Sequence, residues 1–314
     1  MRSLVTVGET MARLSTPYVG RLRHVRSLDL GIAGAESNVA IGFARLGGDA
    51  SWTGRVGEDE FGALVESTIR GQGVRTRAVH DRDAPTGLML KEHRSADLSN
   101  VVYYRDRSAG SRLAPDDLDE AAIASADVVH LTGITAALST TALEAVHCAA
   151  AAARSRGTAL SFDLNYRAAL WSPADASKTL RQLVETADIV FATEDEARLI
   201  VDGADTAELA RALAALGPVE VVIKRAERGS TAVIDDELLE SAAVPVTAID
   251  PVGAGDAFAA GYLYERTKGA DPERRLVTAS RAGAYAVTVD GDWEGSPTYD
   301  ELAALAAGGG TVMR

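Results

Sequence analysis

The chain is poor in cysteine and has no long apolar run. Cys148 is its only cysteine, which excludes an internal disulfide and a cysteine-ligated zinc site. A single thiol is typical of a reducing compartment, so we expect a cytoplasmic protein. No stretch of about 18 apolar residues occurs, and the apolar run at 3–8 is too short for a signal peptide. We therefore expect neither a membrane partner nor a secretory leader.

Positive charge is also scarce. The sequence has 32 Lys and Arg against 45 Asp and Glu, a net charge of −13. A nucleic-acid-binding protein needs a basic face, so we expect no nucleic-acid partner. An anionic small molecule would need a local group of cations to bind against this acidic background. Individual Arg and Lys residues near a candidate site are informative for that reason.

Several familiar nucleotide-binding loops are missing. The chain has no G-x-x-x-x-G-K-[ST] sequence, no G-x-G-x-x-G at a strand end and no H-R-D loop. These absences disfavour a P-loop enzyme, an NAD-dependent dehydrogenase and a protein kinase. The five histidines have no metal-ligand spacing, so a protein-ligated zinc site is not expected either.

The sequence does contain a regular alternation of strand-like and helix-like segments. Helical spacing begins after residue 37 and again near 61, and Ala-rich or amphipathic segments follow several apolar runs. The predicted strands are 3–8, 51–54, 127–131, 158–163, 188–192, 219–224, 231–235 and 246–249. This alternation predicts an α/β fold, with a mostly parallel sheet covered by helices on both faces.

A second, smaller β layer is predicted in the first third of the chain. Segments 86–93 and 100–105 are β-rich and joined by a polar turn, which indicates a hairpin. Segment 22–30 reads as a further extended piece, and its basic residues as part of a surface strand. We interpret residues 1–314 as a single domain with a β lid from about 10–32 and 84–110.

The clearest candidate for chemistry is the segment 250–258, D-P-V-G-A-G-D-A-F. The predicted strand 246–249 runs into Gly253, Ala254 and Gly255, and a helix is predicted from Asp256. Backbone amides at such a helix start can bind an anion, and the Asp256 carboxylate beside them could take a proton from a hydroxyl. An ordinary Gly-rich turn with a helix-capping Asp remains the alternative at this point.

This segment resembles the signature D-[TP]-x-G-A-G-D-x-F of the ribokinase-like sugar kinases. Segment 34–40, G-A-E-S-N-V-A, and segment 54–62 are similar to that family's N-terminal motifs, in the expected order. The resemblance implies a three-layer α/β/α sandwich with a small β-sheet lid, and ATP with Mg²⁺. It also implies that Asp256 is the catalytic base and that Gly253, Ala254 and Gly255 form the anion hole.

A narrower resemblance is to 2-keto-3-deoxygluconate kinases, through segments 103–105, 108–111, 131–134 and 163–171. It implies phosphorylation of 2-keto-3-deoxygluconate to 2-keto-3-deoxy-6-phosphogluconate. The substrate contacts it implies are Gly34, Ala35, Asn38, Met89, Tyr103, Arg105, Arg167, Asp250 and Asp292. Met89 stands where these kinases often have a tyrosine. The implied ATP contacts are Asn165, Arg167, Thr193, Lys224, Arg225 and Gly229.

Some alternatives stay open. Glu196 could act on Mg²⁺ through water, or could be a helix-start Glu favoured by the helix dipole. The substrate could be fructose, ribose or 5-keto-2-deoxygluconate, and a non-catalytic nucleotide- or sugar-binding regulator is the rival from another class. Lid strands offer edges for pairing, and members of the family commonly dimerise through them, so we expect a homo-oligomer.

Overall fold

The computed structural model describes residues 2–95 and 98–306, in which strands and helices alternate along most of the chain. The strands there are β1 (Ser3–Val7), β2 (Met11–Ser15), β3 (Asp29–Ala33), β4 (Asp49–Gly57), β5 (Arg75–Asp81), β6 (Leu88–Ser95), β7 (Leu98–Tyr104), β8 (Val128–Thr132), β9 (Ala159–Asp163), β10 (Ile189–Thr193), β11 (Glu220–Lys224), β12 (Ser230–Ile234) and β13 (Glu237–Ser241). The α-helices are α1 (Ala35–Arg45), α2 (Glu60–Gly71), α3 (Glu120–Ser125), α4 (Gly133–Leu138), α5 (Thr140–Arg156), α6 (Pro173–Val184), α7 (Glu194–Arg198), α8 (Thr206–Ala214), α9 (Ala254–Thr267), α10 (Pro272–Ala286) and α11 (Tyr299–Ala306).

Nine strands form one large sheet, in the order β13-β12-β11-β10-β9-β8-β1-β4-β5. Every neighbouring pair from β11 to β5 is parallel. Only β12 and β13 join antiparallel, at one edge. The predicted mostly parallel sheet is therefore confirmed, and the carboxyl ends of its parallel strands meet along one edge.

Both faces of the large sheet are apolar. Alternate residues of a strand point to opposite faces, so on β10 Phe191 packs with one cluster while Val190 packs with the other. Helices α1, α2, α9 and α10 cover the Phe191 face, and α5, α6 and α8 cover the Val190 face. The three-layer α/β/α sandwich is thus confirmed, and none of the helices in the described ranges could cross a membrane.

Strands β2, β3, β6 and β7 form a separate four-stranded sheet, in the order β3-β2-β6-β7. The predicted hairpin is confirmed as β6 and β7. Its apolar core is small, with Met11, Ala33 and Met89 buried and Val101 packed against them. One face of this small sheet is directed at the carboxyl edge of the large sheet.

The other face of the small sheet is largely apolar and partly exposed. Strand register aligns Leu30, Leu14, Leu90 and Val102 in one row across its four strands. Leu30 is 55% exposed and Val102 is 37% exposed. This row lies on the outer face of the small sheet, and Val102 at its β7 end also borders the cavity.

Two predicted extended segments are wrong. Within 22–30, Leu22–His24 forms a short 3-10 helix and strand β3 starts only at Asp29, because residues 22–28 have no strand to pair with. Segment 246–249 is a loop. Pro245 cannot donate a ladder hydrogen bond there, and the Ile249 amide bonds to the Val287 carbonyl instead of to a strand. Apolar side chains alone did not make a strand.

Candidate active site

A cavity of about 1240 Å³ lies between the small sheet and the carboxyl edge of the large sheet. The small sheet and the segment after it supply one wall, and the ends of β9, β10 and β11 supply another. Helix α9 begins at the base of the cavity. Nearly all the residues proposed from the sequence line it: Gly34, Ala35, Asn38, Met89, Tyr103, Arg105, Asn165, Arg167, Thr193, Glu196, Lys224, Arg225, Gly253, Ala254, Gly255, Asp256 and Asp292.

The start of α9 is fixed by Gly253, the residue just before the helix. Its φ is +77°, a left-handed conformation that favours glycine. A Cβ at this position would lie 1.8 Å from the carbonyl oxygen of Asp292, so no other residue fits. The helix begins at Ala254, two residues earlier than predicted, and Asp256 therefore lies within its first turn. The first amides of a helix point out of its start, where an anion can accept from them. Of the three at 253–255, the Ala254 amide also donates to the Pro251 carbonyl at 3.4 Å.

Asp256 is held by Asn38 on α1. The Asn38 side-chain amide donates to Oδ2 of Asp256 at 2.8 Å. Burial raises the pKa of Asp256 to about 7, and nearby Asp163 also raises it, while Asn38, Lys224 and Arg167 lower it. A carboxylate with this pKa can accept a proton and release it again near neutral pH.

Positively charged side chains lie at the end of the cavity that is formed by the carboxyl ends of β9 and β11. Lys224, the last residue of β11, donates to Oδ2 of Asp163 at 2.5 Å. Burial alone would lower the pKa of Lys224, but the carboxylates of Asp163, Glu196 and Asp256 raise it. Arg167 is exposed on the loop after β9. These positive groups surround the start of α9 and suit an anionic ligand there.

Glu196 is engaged in a helix cap. Its Oε2 accepts from the backbone amide of Thr193 at 2.7 Å, while the Thr193 hydroxyl caps α7. Its Oε1 accepts from the Tyr166 amide at 2.9 Å. Glu196 thus joins the loops after β9 and β10, where Asn165 is buried with a φ of +38°. The capping interpretation of Glu196 is consistent with these contacts.

The opposite end of the cavity is formed by the small sheet. Tyr103 on β7 and Met89 on β6 are paired in register and face the cavity. Arg105 follows β7, and its guanidinium forms an ion pair with the fully buried carboxylate of Glu9. Part of the Arg105 hydrogen-bonding capacity is therefore used within the protein, and the guanidinium is held in one orientation.

Two proposed residues do not line the cavity. Asp250 is buried behind it, where it contacts Lys91 and accepts from the Val252 and Gly291 amides. Gly229 lies beyond the turn after β11, with a φ of +82°. Asp292 does line the cavity. Burial raises its pKa to about 7, although the charges of Arg13 and Lys91 lower it.

Sequence reasoning missed Glu9, Lys91 and Arg13. Glu9 gives no local signal, because its partner Arg105 is 96 residues away. Lys91 could have been found from the strand period, since it lies two residues after Met89 and so shares its face. Arg13 likewise shares the inner face of β2 with Met11. Among the residues that the structure describes, no group of three or more His, Cys, Asp or Glu could hold a metal ion.

Comparison with known proteins gives a consistent result. Residues 1–299 match the pfkB family of carbohydrate kinases. The chain is 37% identical over 310 residues to a 2-dehydro-3-deoxygluconokinase of Thermoproteus tenax, covering 97% of this chain and 94% of the relative. It is 35% identical over 309 residues to a 2-dehydro-3-deoxygalactonokinase of Haloferax volcanii, covering 98% and 97%.

Among solved structures, the 2-dehydro-3-deoxygluconokinase of Thermotoga maritima aligns with a TM-score of 0.91 at 27% identity, covering 98% of this chain and all of that chain. The family expected from the sequence motifs is therefore confirmed along nearly the whole chain. From these matches and the fold, the chain belongs to the pfkB family of carbohydrate kinases.

Proposed function

We propose that this kinase phosphorylates 2-keto-3-deoxygluconate, also called 2-dehydro-3-deoxygluconate, with ATP to give 2-keto-3-deoxy-6-phosphogluconate. The observation that carries the proposal is the Asp256 carboxylate, whose pKa is about 7, in the first turn of α9 at the base of the cavity. The names of two relatives and one solved structure support the sugar-acid assignment. The two relatives differ in the sugar acid they are named for, so the galacto epimer is the second candidate substrate.

In this mechanism Asp256 accepts the proton of the substrate's primary hydroxyl. The hydroxyl oxygen forms a bond to the γ-phosphorus of ATP as the bond from that phosphorus to the β,γ-bridging oxygen breaks, and ADP leaves. The amides of Gly253, Ala254 and Gly255, together with Arg167, donate hydrogen bonds to the transferred group and stabilise the negative charge that develops on it. Asn38 keeps the Asp256 carboxylate directed at the hydroxyl.

ATP fits the end of the cavity that carries Lys224 and Arg225. Asn165, Arg167 and Thr193 complete the proposed nucleotide contacts, and Gly229, which does not line the cavity, is not among them. Mg²⁺, when bound, would neutralise phosphate charge and would be held mainly by phosphate oxygens and water, with Glu196 acting through water. Glu196 already accepts from two backbone amides, so it is suited to hold the loops around the phosphates more than to bind the ion directly.

The sugar acid would occupy the end next to the small sheet. Gly34, Ala35, Asn38 and Asp292 face its hydroxyl groups in this proposal, and Met89 and Tyr103 pack over it. Arg105 is the proposed partner of its carboxylate, because two of its guanidinium nitrogens are held by Glu9 while the group still lines the cavity. Asp250 would act from behind the cavity wall.

Fructose, ribose and 5-keto-2-deoxygluconate remain alternative substrates, and a non-catalytic regulator is disfavoured by the intact Asp256 and Gly253.

We further propose that residues 1–314 act as one domain whose small sheet is a lid over the substrate. We also propose that the protein works in the cytoplasm, as predicted from its single cysteine. Two copies would associate through the outer face of the small sheet, since Leu30, Leu14, Leu90 and Val102 form an uncovered apolar row there.

The first prediction concerns Asp256. Asp256→Asn keeps the size of the side chain but cannot accept the hydroxyl proton. We expect kcat in a coupled ADP-release assay to fall by about 10²–10⁴-fold, the usual contribution of a general base, with little change in ATP affinity. Asp175→Asn is the matched control, because Asp175 is also the third residue of its helix but is exposed on α6. If the variant at 256 keeps a near-normal kcat, Asp256 is not the catalytic base.

The second prediction concerns pH. Only ionised Asp256 can act as the base, so kcat/KM should fall about tenfold for each pH unit below its pKa, which is about 7. The hydrogen bond from Asn38 lowers that pKa. In Asn38→Ala the acid limb of the pH–rate profile should therefore move to higher pH. An unchanged limb, or a shift to lower pH, would contradict this assignment of the base.

The third prediction concerns Arg105. Removing a charge-assisted hydrogen bond costs about 1.5–3 kcal/mol, so Arg105→Ala should raise KM for 2-keto-3-deoxygluconate by roughly ten- to a hundredfold. KM for ATP should stay nearly constant, whereas Arg167→Ala should raise both. If wild type has a higher kcat/KM for fructose or ribose than for the keto-deoxy acid, the sugar-acid proposal is wrong.

The fourth prediction concerns assembly. Val102→Glu places a carboxylate at the β7 end of the apolar row, so sedimentation equilibrium should detect a smaller assembly than for wild type. Val219→Glu is the control, since Val219 is also exposed but lies outside the small sheet, next to β11. A wild-type protein that is already monomeric would refute the proposed interface.

A further inference from the structure

A buried lysine that the proposed mechanism does not use lies in the wall of the cavity. The side chain of Lys91, on the inner face of β6, is only 1% exposed. Its ammonium contacts Oδ2 of Asp250 and lies 3.7 Å from Oδ1 of Asp290. A lysine is almost never fully buried without such a partner. The burial of the Lys91 ammonium therefore needs an explanation other than apolar packing.

Asp250 is the junction of the two loops that form the base of the cavity. Its Oδ1 accepts from the Val252 amide at 3.2 Å, and its Oδ2 accepts from the Gly291 amide at 3.2 Å. One residue beyond Val252, the Cα of Gly253 packs on the Asp292 carbonyl. A shift of the Asp250 carboxylate would thus also displace Gly253, where the proposed anion hole begins.

The small sheet is joined to these loops by charge more than by apolar packing. The loops carry Asp250, Asp290, Asp292 and Glu294. Three side chains from the small sheet approach these carboxylates. Lys91 contacts Asp250 and Asp290, and Arg13 lies 2.7 Å from Glu294 and 3.4 Å from Asp292. His93, which is charged only when protonated, lies 3.7 Å from Asp290. By contrast, the apolar cluster on the inner face of the small sheet is small, with Met11, Ala33 and Met89 buried.

We propose that Lys91 is a positioning residue that fixes the anion-hole loop relative to the small sheet, through the carboxylate of Asp250. The inference rests on the proposed function, phosphoryl transfer at Asp256. It adds that the sugar-binding side and the phosphoryl-binding side of the cavity are assembled together by one ion pair. Lys91 itself touches neither the substrate nor ATP in this scheme.

A neutral residue at 91 would leave Asp250 buried without its cation. Burial alone raises the pKa of Asp250, and the contact with Lys91 holds it below the usual range. Without that contact the carboxylate would take up a proton or turn toward water. Either change weakens its hydrogen bonds to the Val252 and Gly291 amides. The anion hole would then be displaced even though none of its own residues had changed.

A purely structural role predicts a different result, and a matched control separates the two. Lys268 also contacts a fully buried carboxylate, that of Glu265, but at the far end of α9 from Asp256. Lys268→Met and Lys91→Met therefore make the same chemical change, and each removes a lysine from a buried carboxylate. Glu265 keeps Arg274 at 3.4 Å, so the control is the milder of the two. Both should lower Tm. Only Lys91→Met should also lower kcat.

We expect kcat of Lys91→Met to fall by about 10- to 100-fold, since a displacement of about 1 Å at a reacting centre can have an effect of that size. The Kd for ATP, measured by calorimetry without sugar, should change little. Lys91→Ala leaves space for a small cation, so added methylammonium should restore part of its kcat. The same concentration of tetramethylammonium, which has no N–H donor, is the control for ionic strength. Lys91→Met, whose side chain fills the space, should not respond.

A double-mutant cycle tests the link to Asp250. If Lys91 acts through that carboxylate, the losses of kcat in Lys91→Met and Asp250→Asn should not multiply, and the double variant should be about as active as the poorer single one. The double variant also has no unpaired buried charge, so it provides the test if Lys91→Met does not fold.

Three results would overturn the proposal: a normal kcat in folded Lys91→Met, no methylammonium response in Lys91→Ala, or losses that multiply. The comparison uses the sugar that wild type phosphorylates fastest. Activity on a sugar other than the keto-deoxy acid would refute the proposed substrate and leave the test of Lys91 intact. A wild-type protein that binds ATP but has no kinase activity would refute both the proposed function and the role of Lys91.

Discussion

The candidate site depends on one close contact between two backbone segments. Gly253 packs against the Asp292 carbonyl in a conformation that only glycine allows easily, and this contact determines where α9 begins. Because α9 begins at Ala254, Asp256 lies in the first turn and reaches Asn38 on α1. The base, the helix amides and the loop that carries Asp292 are therefore parts of a single rigid arrangement.

The cations of the cavity are held in place by carboxylates of the protein. An acidic protein that binds two anionic molecules must concentrate cations in one cavity, where they would repel each other when no ligand is bound. Here two of them are each paired with a carboxylate of the protein. The pairs are Lys224 with Asp163 and Arg105 with Glu9. Each pair leaves some N–H donors oriented in advance, so an incoming anion meets fixed hydrogen-bond donors without the cost of reorganising them.

The sequence predicted the large sheet well, for a physical reason, and the residues of its motifs lie together in one cavity. Strand–helix alternation and the Gly-Ala-Gly-Asp pattern are local features, and the described cavity contains Asp256, Asn38 and Gly253 as expected. Segment 246–249 was wrongly predicted as a strand because apolar composition does not indicate whether a strand lies alongside to accept its hydrogen bonds. The pairing of charges was not predictable at all. Lys91 and its partner Asp250 are 159 residues apart, and no spacing rule connects them.

The same burial that suits Asp256 to its proposed role carries a cost in stability. Its pKa rises from 3.8 to about 7, so between these values the folded protein binds a proton that the unfolded chain has released. The folded state is then favoured at low pH, and this contribution to the free energy of unfolding is lost as pH rises toward 7. Above that pH the carboxylate is ionised in a largely desolvated site, with Asn38, Lys224 and Arg167 offsetting part of the cost. A more solvated Asp256 would make a more stable protein but a weaker base, because its pKa would return toward 3.8.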